Sequence, residues 1–149
     1  GVVVQAYLRR TMDDVIQLAD LAPNYRLCKG VYVEPAEIAY ADMPSINQNY
    51  IRILEQLFRN GSFVGIATHD GFIVRDAYRL IRGLGVPQSA YEFEMLLGVR
   101  EDLRDKIVAA GHPLRVYIPY GPDWYAYSVR RLRENPQLAG YVLKALFKR

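Results

Sequence analysis

The sequence predicts an α/β fold built around a parallel sheet. Short apolar runs rich in Val, Ile, Tyr and Phe alternate with longer segments whose apolar residues recur three and four positions apart. Such an alternation of strands and helices requires right-handed crossover connections, and therefore a parallel sheet that is either doubly wound or closed as a barrel.

Five apolar runs have the composition of strands. In chain order they cover residues 2–8, 25–32, 63–68, 91–97 and 114–120. Polar residues stand at the end of each run, and in a barrel all of these ends lie on the face that holds the active site. Five strands do not close an eight-stranded barrel of roughly 250 residues, so the sequence predicts about half of one.

Four segments between these runs have helical periodicity. They cover residues 12–21, 46–58, 72–84 and 101–110. At the start of the first, Thr11 and Asp14 resemble a capping box with Asp in place of Glu, and Asp70 is a candidate N-cap of the third. Glycines stand at predicted helix ends. These are Gly61, Gly83, Gly85 and Gly111.

Composition excludes several classes of function. The 149 residues include 51% hydrophobic and 23% charged residues, which is typical of one compact soluble domain. A net charge of +3, spread along the chain, makes a nucleic-acid partner a poor hypothesis. Cys28 is the only cysteine, and His69 and His112 are the only histidines, so we expect no disulfide and no metal site. The apolar runs are too short to span a bilayer, so we expect a soluble or at most peripheral protein.

The arginines Arg130 and Arg131 follow an aromatic and apolar helical turn. Two guanidinium groups at one helix end can hold a small carboxylate bidentately, which predicts a substrate clamp. Glu134 lies on the same helical face and can orient one of them. The alternative is a solvated basic helix end.

Six motifs in sequence carry a resemblance to a known family. They are Gln5-Ala6-Tyr7-Leu8, Arg26-Leu27-Cys28-Lys29-Gly30-Val31-Tyr32, Thr68-His69-Asp70, Tyr91-Glu92-Phe93-Glu94-Met95-Leu96-Leu97-Gly98, Arg115-Val116-Tyr117-Ile118-Pro119-Tyr120-Gly121, and the segment from Tyr127 to Glu134. Together they resemble the proline dehydrogenase family over essentially the whole chain. Each motif is weak alone, and their order gives the resemblance its weight.

The resemblance implies an FAD-dependent distorted (βα)8 barrel that oxidises L-proline to 1-pyrroline-5-carboxylate and passes electrons to a membrane quinone. Residues 1–149 would then be one partial barrel domain, the C-terminal half with strands 4 to 8 of the parent barrel. The family's catalytic lysine and aspartate would lie in the other half. The parent could be a monofunctional enzyme or the dehydrogenase domain of the bifunctional proline utilisation protein.

The resemblance also implies a set of substrate contacts. The arginine pair would hold the proline carboxylate, oriented by the glutamate that follows it, while aromatic and apolar side chains would wall the ring. These residues are Arg130, Arg131, Glu134, Tyr127, Tyr117 and Leu96. The alternative for Tyr117 and Tyr127 is that they are core residues of a strand and of a helix.

A second set of residues would contact the cofactor. Arg26 would stand beside the flavin N5 and, with Tyr117, form the catalytic pair, although a salt bridge to a neighbouring carboxylate is an alternative for Arg26. Gln5 would meet the pyrimidine edge of the flavin. The turn of Lys29, Gly30 and Val31 would approach the cofactor through its backbone, and Tyr32 would add an aromatic wall. Thr68 and His69 would contact the ribose and adenine side of the cofactor.

Two other interpretations stay open. The chain could be a non-catalytic half-barrel that needs its other half, and an open sheet edge predicts self-association. It could instead be a barrel aldolase with Lys29 as a Schiff-base amine. For a proline dehydrogenase, we expect a cytoplasmic protein or one peripheral to a bacterial inner membrane, with a mitochondrial location as the alternative.

Overall fold

The computed structural model describes residues 1–122, 124–125 and 129. These residues form a five-stranded parallel sheet in the order β1-β2-β3-β4-β5. The strands are β1 Val2–Gln5, β2 Tyr25–Cys28, β3 Val64–Ala67, β4 Tyr91–Leu96 and β5 Leu114–Tyr117. All five predicted strands are confirmed, although each of them ends before the apolar run does, because the chain turns out of the sheet into its loops.

Helices follow the first four strands. They are α1 Thr11–Gln17, α2 Met43–Arg59, α3 Gly71–Leu84 and α4 Glu101–Ala109, with short 3₁₀ turns at Ala19–Leu21 and Gln88–Ala90. The four predicted helices are therefore confirmed. The first ends earlier than predicted, since its last turn tightens into the 3₁₀ form.

The predicted capping box at α1 is wrong. Arg10 occupies the N-cap position with helical backbone angles, and it makes no side-chain cap. Thr11 lies within the helix, where its hydroxyl donates to the backbone oxygen of Gln5 at 2.6 Å. This side chain therefore ties the helix to the end of β1 instead of capping it.

The predicted end of α3 at Leu84 is confirmed, and of the two glycines predicted there Gly85 is the C-cap, with a φ of +64°, whereas Gly83 lies within the last turn of the helix. Gly61 and Gly111 follow the ends of α2 and α4 with φ of +71° and +83°, as predicted. Asp70 caps α3 by accepting from the backbone nitrogen of Phe72 at 2.8 Å, which confirms its predicted N-cap role.

One face of the sheet packs against α2 and α3. Alternate strand residues such as Leu27, Ile66 and Phe93 are fully buried there, with Leu54 of α2 and Ile73 of α3 in the same cluster. Because successive side chains of a strand point to opposite faces, the residues between them lie on the other face of the sheet. The core thus decides which side chains remain for a site.

Two buried polar side chains of α2 hold the carboxyl ends of the first two strands. Asn49 donates to the backbone oxygen of Ala6 at 2.7 Å, and the hydroxyl of Tyr50 donates to that of Leu27 at 2.8 Å. The following loops are also joined, since Tyr40 donates its backbone N–H to Tyr7. These bonds fix the edge of the sheet where the predicted site residues stand.

Candidate functional site

A mostly polar set of side chains lies on the sheet face opposite the helices, which we call the polar face. It comprises Val3, Gln5, Arg26, Cys28, Gly65, Ala67, Glu92, Glu94, Leu96, Arg115 and Tyr117. Four predicted site residues lie on this face: Gln5, Arg26, Leu96 and Tyr117. Because the five strands are parallel, their carboxyl ends also meet at one edge of the sheet.

Arg26 of β2 forms an ion pair with Glu94 of β4, with 2.5 Å between Nε and Oε2. The arginine side chain is 40% exposed, whereas the glutamate is only 11% exposed. The hydrogen bond that Arg26 donates to Glu94 raises the pKa of Arg26 above its ordinary value, against the opposing effect of burial. The alternative of a salt bridge for Arg26 is thus confirmed, and its place beside a flavin stays a prediction.

Glycine on the intervening strand makes room for this pair. A Cβ at Gly65 of β3 would lie 2.8 Å from Cδ of Glu94 and closer still to one carboxylate oxygen. The sheet register sets Gly65 directly beside Arg26, so the two charged side chains meet across the position where β3 has no side chain. Any larger residue would displace the carboxylate.

A second ion pair lies on the same face, nearer the amino end of β4. Arg115 of β5 donates to both carboxylate oxygens of Glu92, at 2.7 and 3.0 Å. Glu92 and Glu94 are two positions apart on one strand, so both carboxylates project from the same face. The polar face therefore carries two arginine–glutamate pairs at successive levels.

The turn after β2 contains four of the residues assigned to the cofactor. Gly30 has a φ of +108°, and a Cβ there would collide with the ring of Tyr7. Only glycine fits this backbone conformation and this contact. Val31 and Tyr32 beyond it are 42% and 54% exposed. The turn thus presents its backbone and one aromatic ring outward, beside the carboxyl ends of the strands.

Lys29 links this turn to the start of α3. Its Nζ lies 2.5 Å from Oδ2 of Asp70. Burial acts to raise the pKa of Asp70, but hydrogen bonds from Lys29 and from the backbone of Phe72 outweigh it and lower the pKa below the usual value. Asp70 therefore stays ionised and serves both as a cap and as an anchor for Lys29.

Thr68 and His69 follow β3 at the same edge. Thr68 is 5% exposed, and its hydroxyl accepts the backbone N–H of Asp70 at 3.1 Å. Nε2 of His69 accepts the backbone N–H of Leu96 at 2.9 Å. Burial, helped by the charge of Arg100, lowers the pKa of His69 to about 4, so the ring is neutral and carries its proton on Nδ1.

The structure leaves part of the predicted site untested. Tyr127, Arg130, Arg131 and Glu134 lie outside the described residues. Four residues of the polar face are not among the predicted site residues, namely Gly65, Glu92, Glu94 and Arg115. The alternation of Glu92 and Glu94 with buried aromatic and apolar residues was the available signal.

The helix side of the sheet holds a separate groove of about 480 Å³ between α2 and α3. Met43, Ile51 and Phe72 are among its lining residues, and none of the predicted site residues lines it. The polar face is therefore the stronger candidate for a site.

Within the described part of the chain, no helix is both long enough and apolar enough to cross a membrane.

A parallel sheet with strands in chain order, helices on one face and charged side chains on the opposite face defines a scaffold of the α/β-barrel class. The sequence profile of the family described as "Proline dehydrogenase" matches residues 1–143. The chain belongs to the proline dehydrogenase family.

Individual relatives agree with this assignment. The proline dehydrogenase of Deinococcus radiodurans is 44% identical over 148 residues, which are 99% of this chain and 48% of that protein. Proline dehydrogenase 1 of Bacillus subtilis is 37% identical over 149 residues, all of this chain and 49% of that protein. The chain therefore spans about half the length of these relatives.

A solved structure confirms the fold class. Proline utilization A of Bdellovibrio bacteriovorus, in a crystal structure of the protein inactivated by N-propargylglycine, superposes with a TM-score of 0.81 at 32% identity. The match covers 89% of this chain and 16% of that one. The five strands and their helices are thus a half-barrel of the TIM-barrel type.

Proposed function

We propose that this chain supplies the C-terminal half of an FAD-dependent proline dehydrogenase, residues 1–149 forming strands 4 to 8 of its barrel. The enzyme oxidises L-proline to 1-pyrroline-5-carboxylate. The observation that carries the proposal is the convergence of Gln5, Arg26, Leu96 and Tyr117 on one polar face of a proline dehydrogenase fold.

The chemistry of the polar face fits a flavin. The guanidinium of Arg26 is a fixed positive charge, which stabilises the negative charge that develops when a flavin is reduced. The amide of Gln5 can both donate and accept, as the pyrimidine edge of a flavin requires. FAD, when bound, supplies the acceptor for the two electrons of the oxidation.

Two backbone segments fit the rest of the cofactor. The Lys29–Gly30–Val31 turn can present its backbone to a planar ligand, because Gly30 lets the turn pack directly on the ring of Tyr7 and Lys29 is drawn aside by Asp70. Tyr32 offers an aromatic wall beside this turn. Thr68 and His69 would face the ribose and adenine side, where the protonated Nδ1 of His69 is a donor for an oxygen or nitrogen acceptor.

Arg130 and Arg131 would hold the proline carboxylate, with Glu134 orienting one guanidinium. Tyr117, Tyr127 and Leu96 would enclose the ring. In the reaction, proline binds with its amine neutral. The C5–H bond breaks and its electron pair leaves as a hydride, for which bound FAD would be the acceptor, the N–H proton is released to water, and the C=N double bond of the product forms.

A quinone as the final electron acceptor, and a cytoplasmic or membrane-peripheral location in a bacterium, are part of this proposal. The relatives in Deinococcus and Bacillus support the bacterial setting. Self-association is proposed for the isolated half-barrel. Among the described residues β1 and β5 each pair with a single neighbour, and strand edges of this kind recruit other chains.

The second candidate is a half-barrel without activity of its own. The chain covers only about half of each relative's length, which favours this second candidate for the isolated chain. The aldolase hypothesis has less support, because Nζ of Lys29 is engaged by Oδ2 of Asp70 at 2.5 Å, whereas a Schiff-base nucleophile must be free to attack a carbonyl carbon.

The test is an anaerobic titration with proline of the full-length gene product and, in parallel, of this chain with added FAD. Bleaching of the flavin absorbance in the full-length protein supports the proposed activity, and a flavin that proline does not bleach contradicts it. Bleaching in the isolated chain would overturn the half-barrel candidate. Flavin retained there without bleaching would identify a cofactor half-site.

A further inference from the structure

We propose that Glu94 is a positioning residue for Arg26, and that Gly65 exists at its place on β3 to let the two side chains meet. The proposal rests on the proposed function, since Arg26 is the residue assigned to the flavin. It adds that the ion pair with Glu94 fixes the position of the Arg26 guanidinium and reduces the positive potential that this group exerts on a bound ligand.

The first support is the geometry of the pair. An arginine side chain has four rotatable bonds, and Arg26 is 40% exposed, so on its own it would sample many positions. Glu94 is 11% exposed and leaves β4 two strands away, with its carboxylate 2.5 Å from Nε of Arg26. This contact selects one position of the guanidinium, extended across β3.

The second support is the absence of a side chain at Gly65. The residue is in an ordinary strand, and its φ is not in the left-handed region, so backbone conformation does not require glycine there. A Cβ would instead run into the carboxylate of Glu94. Glycine weakens a strand, and the space for the ion pair is the gain that accounts for it.

The third support is the charge balance. A carboxylate in contact with Arg26 reduces the positive potential that a neighbouring ligand experiences. Glu94 should therefore hold the reduction potential of a bound flavin below the value that an uncompensated arginine would produce. Glu94→Gln keeps an oxygen acceptor for Arg26 but removes the negative charge, so the potential should shift in the positive direction.

Glu92 offers a matched control. It stands on the same strand and face, and it is likewise paired with an arginine, but it is two residues nearer the amino end of β4. Glu92→Gln removes one carboxylate of the same face without touching the contact of Arg26. A general loss of stability in the sheet would appear in both variants, whereas an effect through Arg26 would appear only in Glu94→Gln.

The experiment is a double-mutant cycle in the full-length gene product, with the dissociation constant of FAD and the flavin reduction potential as readouts. The proteins are the wild type, Glu94→Gln, Arg26→Gln and the double variant, with Gly65→Ala and Glu92→Gln beside them. Glu94→Gln replaces a charged hydrogen bond with a weaker neutral one, and Gly65→Ala displaces the carboxylate, so the looser ordering of Arg26 should weaken FAD binding by about three- to tenfold in both. Glu92→Gln should change it by less than about twofold.

The proposal requires that the effect of Glu94→Gln on FAD affinity largely disappear in the Arg26→Gln background. An equal loss of affinity in both backgrounds, or an unchanged potential in Glu94→Gln, would overturn it. Gly65→Ala keeps the test valid if one glutamate variant fails to fold. A wild type that binds FAD but is not reduced by proline would contradict the proposed function alone, and the cycle would still decide the role of Glu94.

Discussion

His69 accepts a hydrogen bond from the backbone N–H of Leu96, with 2.9 Å between Nε2 and N. The bond joins the loop after β3 to the carboxyl end of β4, where the chain leaves the sheet. It requires an unprotonated Nε2, because an imidazolium would present a donor to a donor. The edge of the sheet that carries the candidate site is thus coupled to the protonation state of one histidine.

We expect this bond to make stability depend on pH. Burial lowers the pKa of His69 from 6.5 to about 4, so the unfolded chain binds this proton more readily than the folded chain. Stability should therefore be lost as the pH falls from about 6.5 towards 4, by roughly 1–3 kcal/mol. Urea unfolding at pH 7 and pH 5 measures it.

The matched variant is His69→Gln, whose amide oxygen can accept from Leu96 without titrating. It should show a smaller loss of stability between these two pH values than the wild type. Equal pH dependence in the two proteins would mean that His69 is not the group responsible.

Asp70 should contribute stability in two separable ways. Asp70→Ala removes both the cap of α3 and the partner of Lys29, and we expect a loss of about 1–2 kcal/mol in chemical unfolding. Asp70→Asn keeps a capping oxygen and should cost less. Asp76→Ala removes a carboxylate whose ion pairs are with two exposed arginines of the same helix, and should cost under about 1 kcal/mol. Equal losses for Asp70→Ala and Asp76→Ala would argue against the double role.

The two glycines Gly30 and Gly83 should respond to alanine in opposite directions. Gly30→Ala places a Cβ at a φ of +108° against the ring of Tyr7, and it should destabilise the protein by about 1–3 kcal/mol and weaken FAD binding. Gly83 lies inside α3 with open space around it, so Gly83→Ala should stabilise by about 0.5–1 kcal/mol. Thermal unfolding of both variants tests the pair, and a neutral Gly30→Ala would refute the close approach.

The arginine clamp can be tested kinetically. Replacing Arg130 or Arg131 with Met should raise KM for proline strongly, corresponding to about 2–5 kcal/mol, since a carboxylate would lose a charged partner. Arg133→Met is the control, since Arg133 lies three positions after Arg130 and two after Arg131. An unchanged KM in either clamp variant would exclude that arginine from carboxylate binding.

Local patterns explain how much of the fold could be predicted. Residues such as Val64 and Ile66 mark a strand through their β-branched side chains, and the period of α3 marks a helix, because both signals come from neighbours in the chain. The predicted capping box at Thr11 does not form, because the Thr11 hydroxyl donates to the backbone oxygen of Gln5 on β1. Of the two glycines predicted at the end of α3, Gly85 ends the helix because it adopts the left-handed conformation, whereas Gly83 keeps the helical one.

The sequence by itself determined the order of strands and helices, the family, and the residues assigned to the site. Those properties follow from periodicity and from motifs that each lie within a few positions of the chain. Only the tertiary structure decided that Arg26 pairs with Glu94 across Gly65, and that Lys29 pairs with Asp70. Such partners are distant in sequence, and only strand register, face and available space select one carboxylate among several.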